Sequence, residues 1–236
     1  MIEAHCFSLA VSPVSAEGRW PDDVEVWHVG VPDDPEAWIL LARCLNPDEV
    51  ERARRYVRHA DRLRFAIARV TLRALLGART GEAPAALRFD SGLFGRPTLE
   101  RHPNRSFNVS HAGPHVLIAM SDTLRVGVDI EAIESTYDLN SLRDLVCSED
   151  ERRRIDSVVD VSPVHAFFRC WTAKEALLKA LGMGIAEHLR AVSVDPCGSG
   201  RQRSRVTHES VAAAGALQFH WLDDFDDYVG CVAFGE

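Results

Sequence analysis

The chain has 236 residues and a formal net charge of −8, and with 46% of residues hydrophobic and 26% charged it excludes disorder, collagen-like structure and a coiled coil. No apolar run approaches the roughly 20 residues that span a bilayer, and no basic segment precedes an apolar one at the N-terminus, so a soluble cytoplasmic protein is expected. Of 27 basic residues 25 are arginine; the two lysines, Lys174 and Lys179, stand five positions apart, and surviving that bias points to a task arginine does not do.

Six scattered cysteines, with no Cys-x-x-Cys pair, argue against a disulfide framework or structural zinc. Charge is uneven: Arg52 to Arg79 holds nine arginines and one acid, Asp61, giving +8 against −16 elsewhere. A long nucleic acid would be repelled by the acidic remainder, whereas a small phosphorylated ligand suits the band.

In chain order, Val24 to Val29 alternates as a strand, and Asn46-Pro47-Asp48-Glu49 reads as a helix start. A helical region runs to about Ala78, broken near His59, with Leu63, Ile67, Val70, Leu72, Leu75 and Leu76 as its apolar stripe and Arg62, Arg69 and Arg73 off it. Short β-like runs between Ala86 and Ile130 are punctuated by Gly92, Gly95, Pro103 and Gly113-Pro114. Helices are expected at Leu139–Val146, Ser148–Val158 and Pro163–Leu181, the last stopped by Gly182. Strands return at Val192–Val194, Leu217–Trp221 and Tyr228–Phe234, with Cys197 to Ser204 as a loop. The order is that of an α+β fold that repeats itself weakly, and a boundary near Ser121-Asp122 would divide the chain almost in half, into 1–121 and 122–236.

Three segments carry chemistry. In Val126 to Glu131 the period of two places Gly127, Asp129 and Glu131 on one strand face, either a polar outer face or a hard-cation site. In Phe167 to Gly182, helical spacing puts Phe167, Cys170, Trp171, Leu178 and Leu181 on an apolar face and Thr172, Glu175 and Lys179 on a polar one. Phe107-Asn108-Val109-Ser110-His111-Ala112-Gly113 lacks the Gly-x-Ser-x-Gly of a nucleophile elbow, but its serine and histidine suit phosphate oxygens.

Together these segments resemble the Sfp-type (surfactin-synthetase-activating) 4′-phosphopantetheinyl transferases. The resemblance rests on Gly127-Val128-Asp129-Ile130-Glu131, Trp171-Thr172-Ala173-Lys174-Glu175-Ala176 with Lys179 and Gly182, Phe107 to His111, Gly95-Arg96-Pro97, and Arg54-Arg55-Tyr56 with Arg64. It implies two pseudo-twofold α+β halves with coenzyme A between them. It also implies transfer of the 4′-phosphopantetheine arm to a serine of an apo acyl or peptidyl carrier protein, with release of adenosine 3′,5′-bisphosphate.

By matched position, Asp129, Glu131 and Glu175 would hold Mg²⁺, with Glu151 as a further acid 24 residues before Glu175. Ser110 and His111 would meet the coenzyme's phosphates, His111 the 3′-phosphate; Arg52, Arg64 and Arg96 would line the nucleotide site. Lys179 would neutralise the pyrophosphate, and Glu175, Glu151 or a metal-bound water would act as the base. Glu49 departs from the pattern by standing where a phosphate-binding basic residue is expected. Lys174 falls on another side of its helix, in support of fold or cleft. The carrier would dock near Ile133 to Val146, and the protein would act as a monomer, without nucleic acid or membrane, in polyketide or nonribosomal peptide biosynthesis. A non-catalytic coenzyme A or carrier-binding module is the alternative; it would not need three carboxylates and Lys179 in register. A metal-dependent phosphohydrolase would use the same acids but has no place for the tryptophan–lysine–glutamate helix.

Overall fold

The computed structural model describes residues 3, 4, 7–34, 36–92, 94–133, 139–185 and 187–236. Strands β1 (Glu3–Ala4), β2 (Phe7–Ser8), β3 (Val11–Pro13) and β4 (Glu25–Gly30) precede helices α1 (Ala37–Ala42), α2 (Pro47–Arg54) and α3 (His59–Thr80). Next come β5 (Phe89–Ser91), β6 (Pro97–Leu99), β7 (Ser106–Ala112), β8 (His115–Ser121) and β9 (Arg125–Ala132). Helices α4 (Leu139–Val146), α5 (Glu149–Ser157) and α6 (Pro163–Leu181) follow. The chain closes with β10 (Val192–Ser193), β11 (Gln202–Arg203), β12 (Arg205–Val206), β13 (Gln218–Leu222) and β14 (Tyr228–Gly235). The class is α+β, and the segment 197–204, expected as a loop, contributes β11 to a sheet by pairing with β13. None of the described helices is long and apolar enough to cross a membrane.

Local chemistry sets the boundaries of the two elements that matter most. The Asn46 amide donates to Glu49 Oε2 at 3.0 Å, closing a capping box ahead of α2, where Pro47 takes the first helical position. In α6, Ser162 accepts from the His165 amide and Pro163 opens the helix, while Gly182 ends it at φ 68°, a left-handed conformation that a side chain would disfavour.

Two four-stranded antiparallel sheets, ordered β3-β4-β8-β7 and β11-β13-β14-β9, organise the chain. Leu63, Ile67 and Leu76 of α3 pack on one face of the first, and Phe167, Cys170 and Leu177 of α6 on one face of the second. Val26, Leu117, Ala119, Val128, Ile130 and Val232, from four strands of both sheets, form a third core that joins their remaining faces. Burying such side chains contributes about 1.5–3 kcal/mol each, so the two sheets are bound by packing.

The edges β7 and β9 meet through side chains. Ser106, Asn108 and Ser110 alternate onto one face of β7; Ser106 Oγ accepts from the Val126 amide at 2.9 Å, and Asn108 Oδ1 from the Val128 amide at 2.9 Å. Ser110 Oγ completes the row by donating to Asp129 Oδ1 at 2.8 Å. The bonds from the Val126 and Val128 amides satisfy backbone groups that an edge strand leaves open. The seam delivers Asp129 to the junction of the two sheets.

Candidate active site

Gly127 permits the site's closest approach: a Cβ there would overlap the Ala176 carbonyl and the Ala180 amide of α6. The helix therefore lies directly on β9, and the face carrying Gly127, Asp129 and Glu131 is covered rather than an outer one. Glu175 and Lys179, four residues apart, share the side of α6 that meets it.

One oxygen each of Asp129, Glu131 and Glu175 lie within 4.8 Å of one another. Lys179 Nζ joins them, paired with Asp129 Oδ1, 3.2 Å from Glu175 Oε2 and 3.3 Å from Ser110 Oγ. Trp171 Nε1 donates to Glu175 Oε1 and fixes the other side of that carboxylate. Burial alone would push the Lys179 ammonium down; the Asp129 and Glu175 carboxylates outweigh it and hold it above its ordinary value. Burial, then Asp129, raises the Glu175 carboxyl against the opposing pull of Lys179 and Trp171.

Three carboxylates against one ammonium leave a formal excess of negative charge at a largely buried place. Asp129 Oδ2 is buried and has no hydrogen-bond partner among the described residues. An orphaned carboxylate oxygen costs about 1–3 kcal/mol or more, so the arrangement is incomplete without a cation. An all-oxygen donor set of this kind suits Mg²⁺.

Beside the acids opens a cleft of about 330 Å³ lined by residues of α2, α3, β7 and α6, among them Arg52, Arg69, Arg96, His111 and Lys179. His111 is exposed on the cleft wall; the surrounding protein, then the charges of Arg64 and Lys179, hold its imidazole below the ordinary value. Arg96 lines the cleft, but its guanidinium is engaged at the seam, donating to Ser106 Oγ at 2.8 Å, to the Val126 carbonyl at 3.1 Å and to the Lys179 and Ala180 carbonyls at the end of α6. Cationic donors there complement the helix C-terminus.

Several expectations are corrected by the coordinates. Glu151 stands apart from the other acids: its side chain is fully buried, Oε2 accepts from Lys174 Nζ and the Ser148 amide, both at 2.7 Å, and Oε1 from the Val194 amide at 2.8 Å. Both oxygens are engaged, and Glu151 is not among the carboxylates gathered around Asp129. Thr172 is fully buried and donates to the Phe168 carbonyl at 2.9 Å, so Trp171 rather than Thr172 accompanies Glu175 and Lys179. Ser110 is buried and engaged with Asp129 and Lys179 instead of lining the cleft. Arg64 lines a neighbouring recess, donating to the Gly113 carbonyl at 2.8 Å and pairing with Asp61.

Lys174 supports the fold, with its ammonium on Glu151 and the Val146 carbonyl. Glu49, the departure from pattern, is gripped by Arg73 through Nε–Oε2 and Nη2–Oε1 contacts of 3.0 and 2.8 Å. Within the docking segment Ile133 to Val146, residues 134–138 lie outside the described residues. Sequence reasoning missed Arg69 as a cleft residue and Trp171 as the donor to Glu175; the i,i+4 spacing of Trp171 and Glu175 was the available signal for the second.

Comparisons with known proteins agree with this geometry. Residues 125–233 match the 4′-phosphopantetheinyl transferase superfamily, and residues 31–123 the 4′-phosphopantetheinyl transferase N-terminal family. The chain is 37% identical over 170 residues to 4′-phosphopantetheinyl transferase HetI of Nostoc, covering 70% of this chain and 71% of that protein. It is 31% identical over 190 residues to a phosphopantetheinyl transferase of Thraustochytrium, covering 73% and 66% of the two chains. It is 27% identical over 198 residues to the rat L-aminoadipate-semialdehyde dehydrogenase-phosphopantetheinyl transferase, covering 79% of this chain and 63% of that protein. The chain belongs to the 4′-phosphopantetheinyl transferase superfamily and is an enzyme of that class.

Proposed function

We propose that this protein is an Sfp-type, Mg²⁺-dependent transferase that moves 4′-phosphopantetheine from coenzyme A to a serine of an apo acyl or peptidyl carrier protein. It works as a cytoplasmic monomer whose two α+β halves, 1–121 and 122–236, hold the coenzyme between them. The observation that carries the reading is the convergence of Asp129, Glu131, Glu175 and Lys179 beside the cleft.

The serine oxygen forms a bond to the phosphorus bearing the pantetheine arm, and the bridging pyrophosphate P–O bond breaks. Adenosine 3′,5′-bisphosphate leaves with the electron pair, and the serine proton passes to a base. Lys179, kept protonated by its two carboxylates, meets the charge that gathers on the leaving phosphate. A preorganised donor of this kind contributes about 3–4 kcal/mol to such a step. Trp171 and the seam serine Ser110 orient Glu175 and Asp129. Glu175, oriented by Trp171, is this chain's own acceptor for the serine proton. Bound to Asp129, Glu131 and Glu175, Mg²⁺ would supply charge neutralisation on the pyrophosphate. His111 and Arg52 line the cleft where the coenzyme's phosphates are held.

The test is the intact mass of an apo carrier protein incubated with coenzyme A, Mg²⁺ and the enzyme. An adduct of roughly 340 Da that disappears with EDTA is expected for a metal-assisted transfer. Coenzyme A binding with no adduct on any of several apo carriers would instead make the protein a binding module.

A further inference from the structure

Cys147 and Cys170, 23 positions apart, bring their sulfurs to 3.8 Å in the core packed on the second sheet, where both side chains are fully buried. Cys147 lies at the junction of α4 and α5: its amide donates to the Arg143 carbonyl at 2.8 Å, and Ser148 caps α5 directly after it. Cys170 lies on α6, one turn before Lys174. The buried Lys174–Glu151 pair holds both chain neighbours of Cys147, since Lys174 Nζ donates to the Val146 carbonyl and Glu151 Oε2 accepts from the Ser148 amide, each at 2.7 Å. One ion pair thus clamps the α4–α5 junction onto α6 with the two sulfurs in contact. The transfer mechanism uses neither thiol.

The two thiols are unequal. The hydrogen bond with Cys170, then the charges of Lys174 and Arg143, hold the Cys147 thiol below its ordinary value against burial, whereas burial pushes the Cys170 thiol well up. Cys147 is therefore the one that ionises first and attacks. Hydrogen peroxide is little larger than water, and Leu145, two residues before Cys147, is 55% exposed, so only the end of α4 separates that thiol from solvent. In the first step the Cys147 thiolate forms an S–O bond to the peroxide, the O–O bond breaks, and the released oxygen takes up the proton that Cys147 gave away and leaves as water. In the second, the Cys170 sulfur attacks the sulfenic sulfur, the S–O bond breaks, and a second water departs with the Cys170 proton. Two thiols are oxidised and one peroxide is reduced to two waters.

We infer that Cys147 and Cys170 are a redox-active dithiol, which a hydroperoxide converts reversibly into a disulfide that ties the α4–α5 junction to α6 and slows the enzyme. A disulfide holds its sulfurs about 2 Å apart, so the junction closes toward α6 by more than an ångström and takes the Val146 carbonyl and the Ser148 amide with it. Both are bonded to the Lys174–Glu151 pair, and Lys174 is the chain neighbour of Glu175. The strain therefore reaches a carboxylate whose placement the transfer depends on. The effect on rate rests on the transferase reading above; the dithiol does not.

The experiment treats the full chain with hydrogen peroxide, blocks the remaining thiols with N-ethylmaleimide in denaturant, and maps the cross-linked peptides by mass before and after dithiothreitol, with the transfer rate followed in parallel. The expected result is a Cys147–Cys170 peptide pair lighter by about 2 Da than the two thiol peptides together, a kcat about tenfold lower, and recovery of both with dithiothreitol. Exposed Cys197 is oxidised separately, and the peptide map tells its products apart. Cys170→Ala forms no such pair and keeps its rate under the same treatment. If Cys170→Ala fails to fold, judged by thermal unfolding, Cys147→Ala takes its place. Absence of the linked pair in wild type overturns the dithiol; a rate loss that is as large in the alanine variant, or a linked pair with unchanged kcat, overturns its control of the enzyme. If wild type modifies no carrier, the transferase reading fails, and the peptide map still decides the dithiol.

Discussion

Two lysines on one helix, five residues apart, stand in opposite environments. Lys174 is fully buried with Glu151, and every strong group around the pair is answered: the ammonium by Glu151 and the Val146 carbonyl, the carboxylate by two backbone amides besides. Lys179 sits at a cleft wall among Asp129, Glu175 and Ser110, where an oxygen of Asp129 has no partner among the described residues. Both pairs are short, so distance does not tell them apart. Completeness does: a saturated polar cluster holds the fold, and one left short of a cation is placed to do chemistry.

The contrast is broken most severely at Asp129. Asp129→Ala should lower transfer at least about a thousandfold while far-UV circular dichroism and the thermal unfolding profile stay close to wild type. Full activity in that variant would remove the metal assignment. The reverse pattern is expected at the other lysine: Lys174→Met strands the Glu151 carboxylate and should cost about 3–5 kcal/mol in urea unfolding, and adding Glu151→Leu should recover most of it. An unchanged urea midpoint for Lys174→Met would show that the buried pair is dispensable.

Lys179→Arg sharpens the comparison, since charge is kept and shape is not. A planar fork does not fit among Asp129, Glu175 and Ser110 as a compact ammonium does, so kcat should fall about a hundredfold with little change in urea midpoint. Wild-type kcat would mean that charge alone is required there.

The smallest effect concerns a polar pair between these extremes. His28 Nε2 and His115 Nδ1 lie 2.9 Å apart under Phe225 and Tyr228 of the second sheet's half. Burial, then His115, holds the His28 imidazole below its ordinary value, and burial does the same for His115. The unfolded chain therefore takes up protons first: stability from the pair is complete above about pH 6.5 and lost as pH falls through the lower folded values. Half-exposed rings are screened, so urea unfolding at about pH 5.5 against 7.5 should show a loss below about 1 kcal/mol that His115→Gln reduces. A loss of the same size in His115→Gln would place the acid sensitivity elsewhere.

Much of this site is legible residue by residue. The alternation of Val126 to Glu131 puts Asp129 and Glu131 together, the spacing of Glu175 and Lys179 places both on one side of α6, and Gly182 marks where that helix ends. Thr172 was misplaced because two sides of α6 are covered, one by core and one by β9, and a buried hydroxyl satisfied by its own helix reads as polar in a sequence. Glu151 was misplaced for a related reason: its partner lies 23 positions away, and spacing along the chain does not reveal which carboxylate a buried lysine claims.

By itself, then, the sequence determined the elements, the class and the residue types that do the chemistry, because hydrophobic period, caps and short-range spacing are local properties of the chain. Only the tertiary structure decided how those residues are used. The side-chain seam between β7 and β9 turned Ser110 from a cleft residue into a support of Asp129, and the staple through Arg96 engaged a guanidinium expected at the nucleotide. Which polar atoms stay open is settled by contacts between distant segments, and the open oxygen of Asp129 is the one that lies among two further carboxylates, where a cation would complete it.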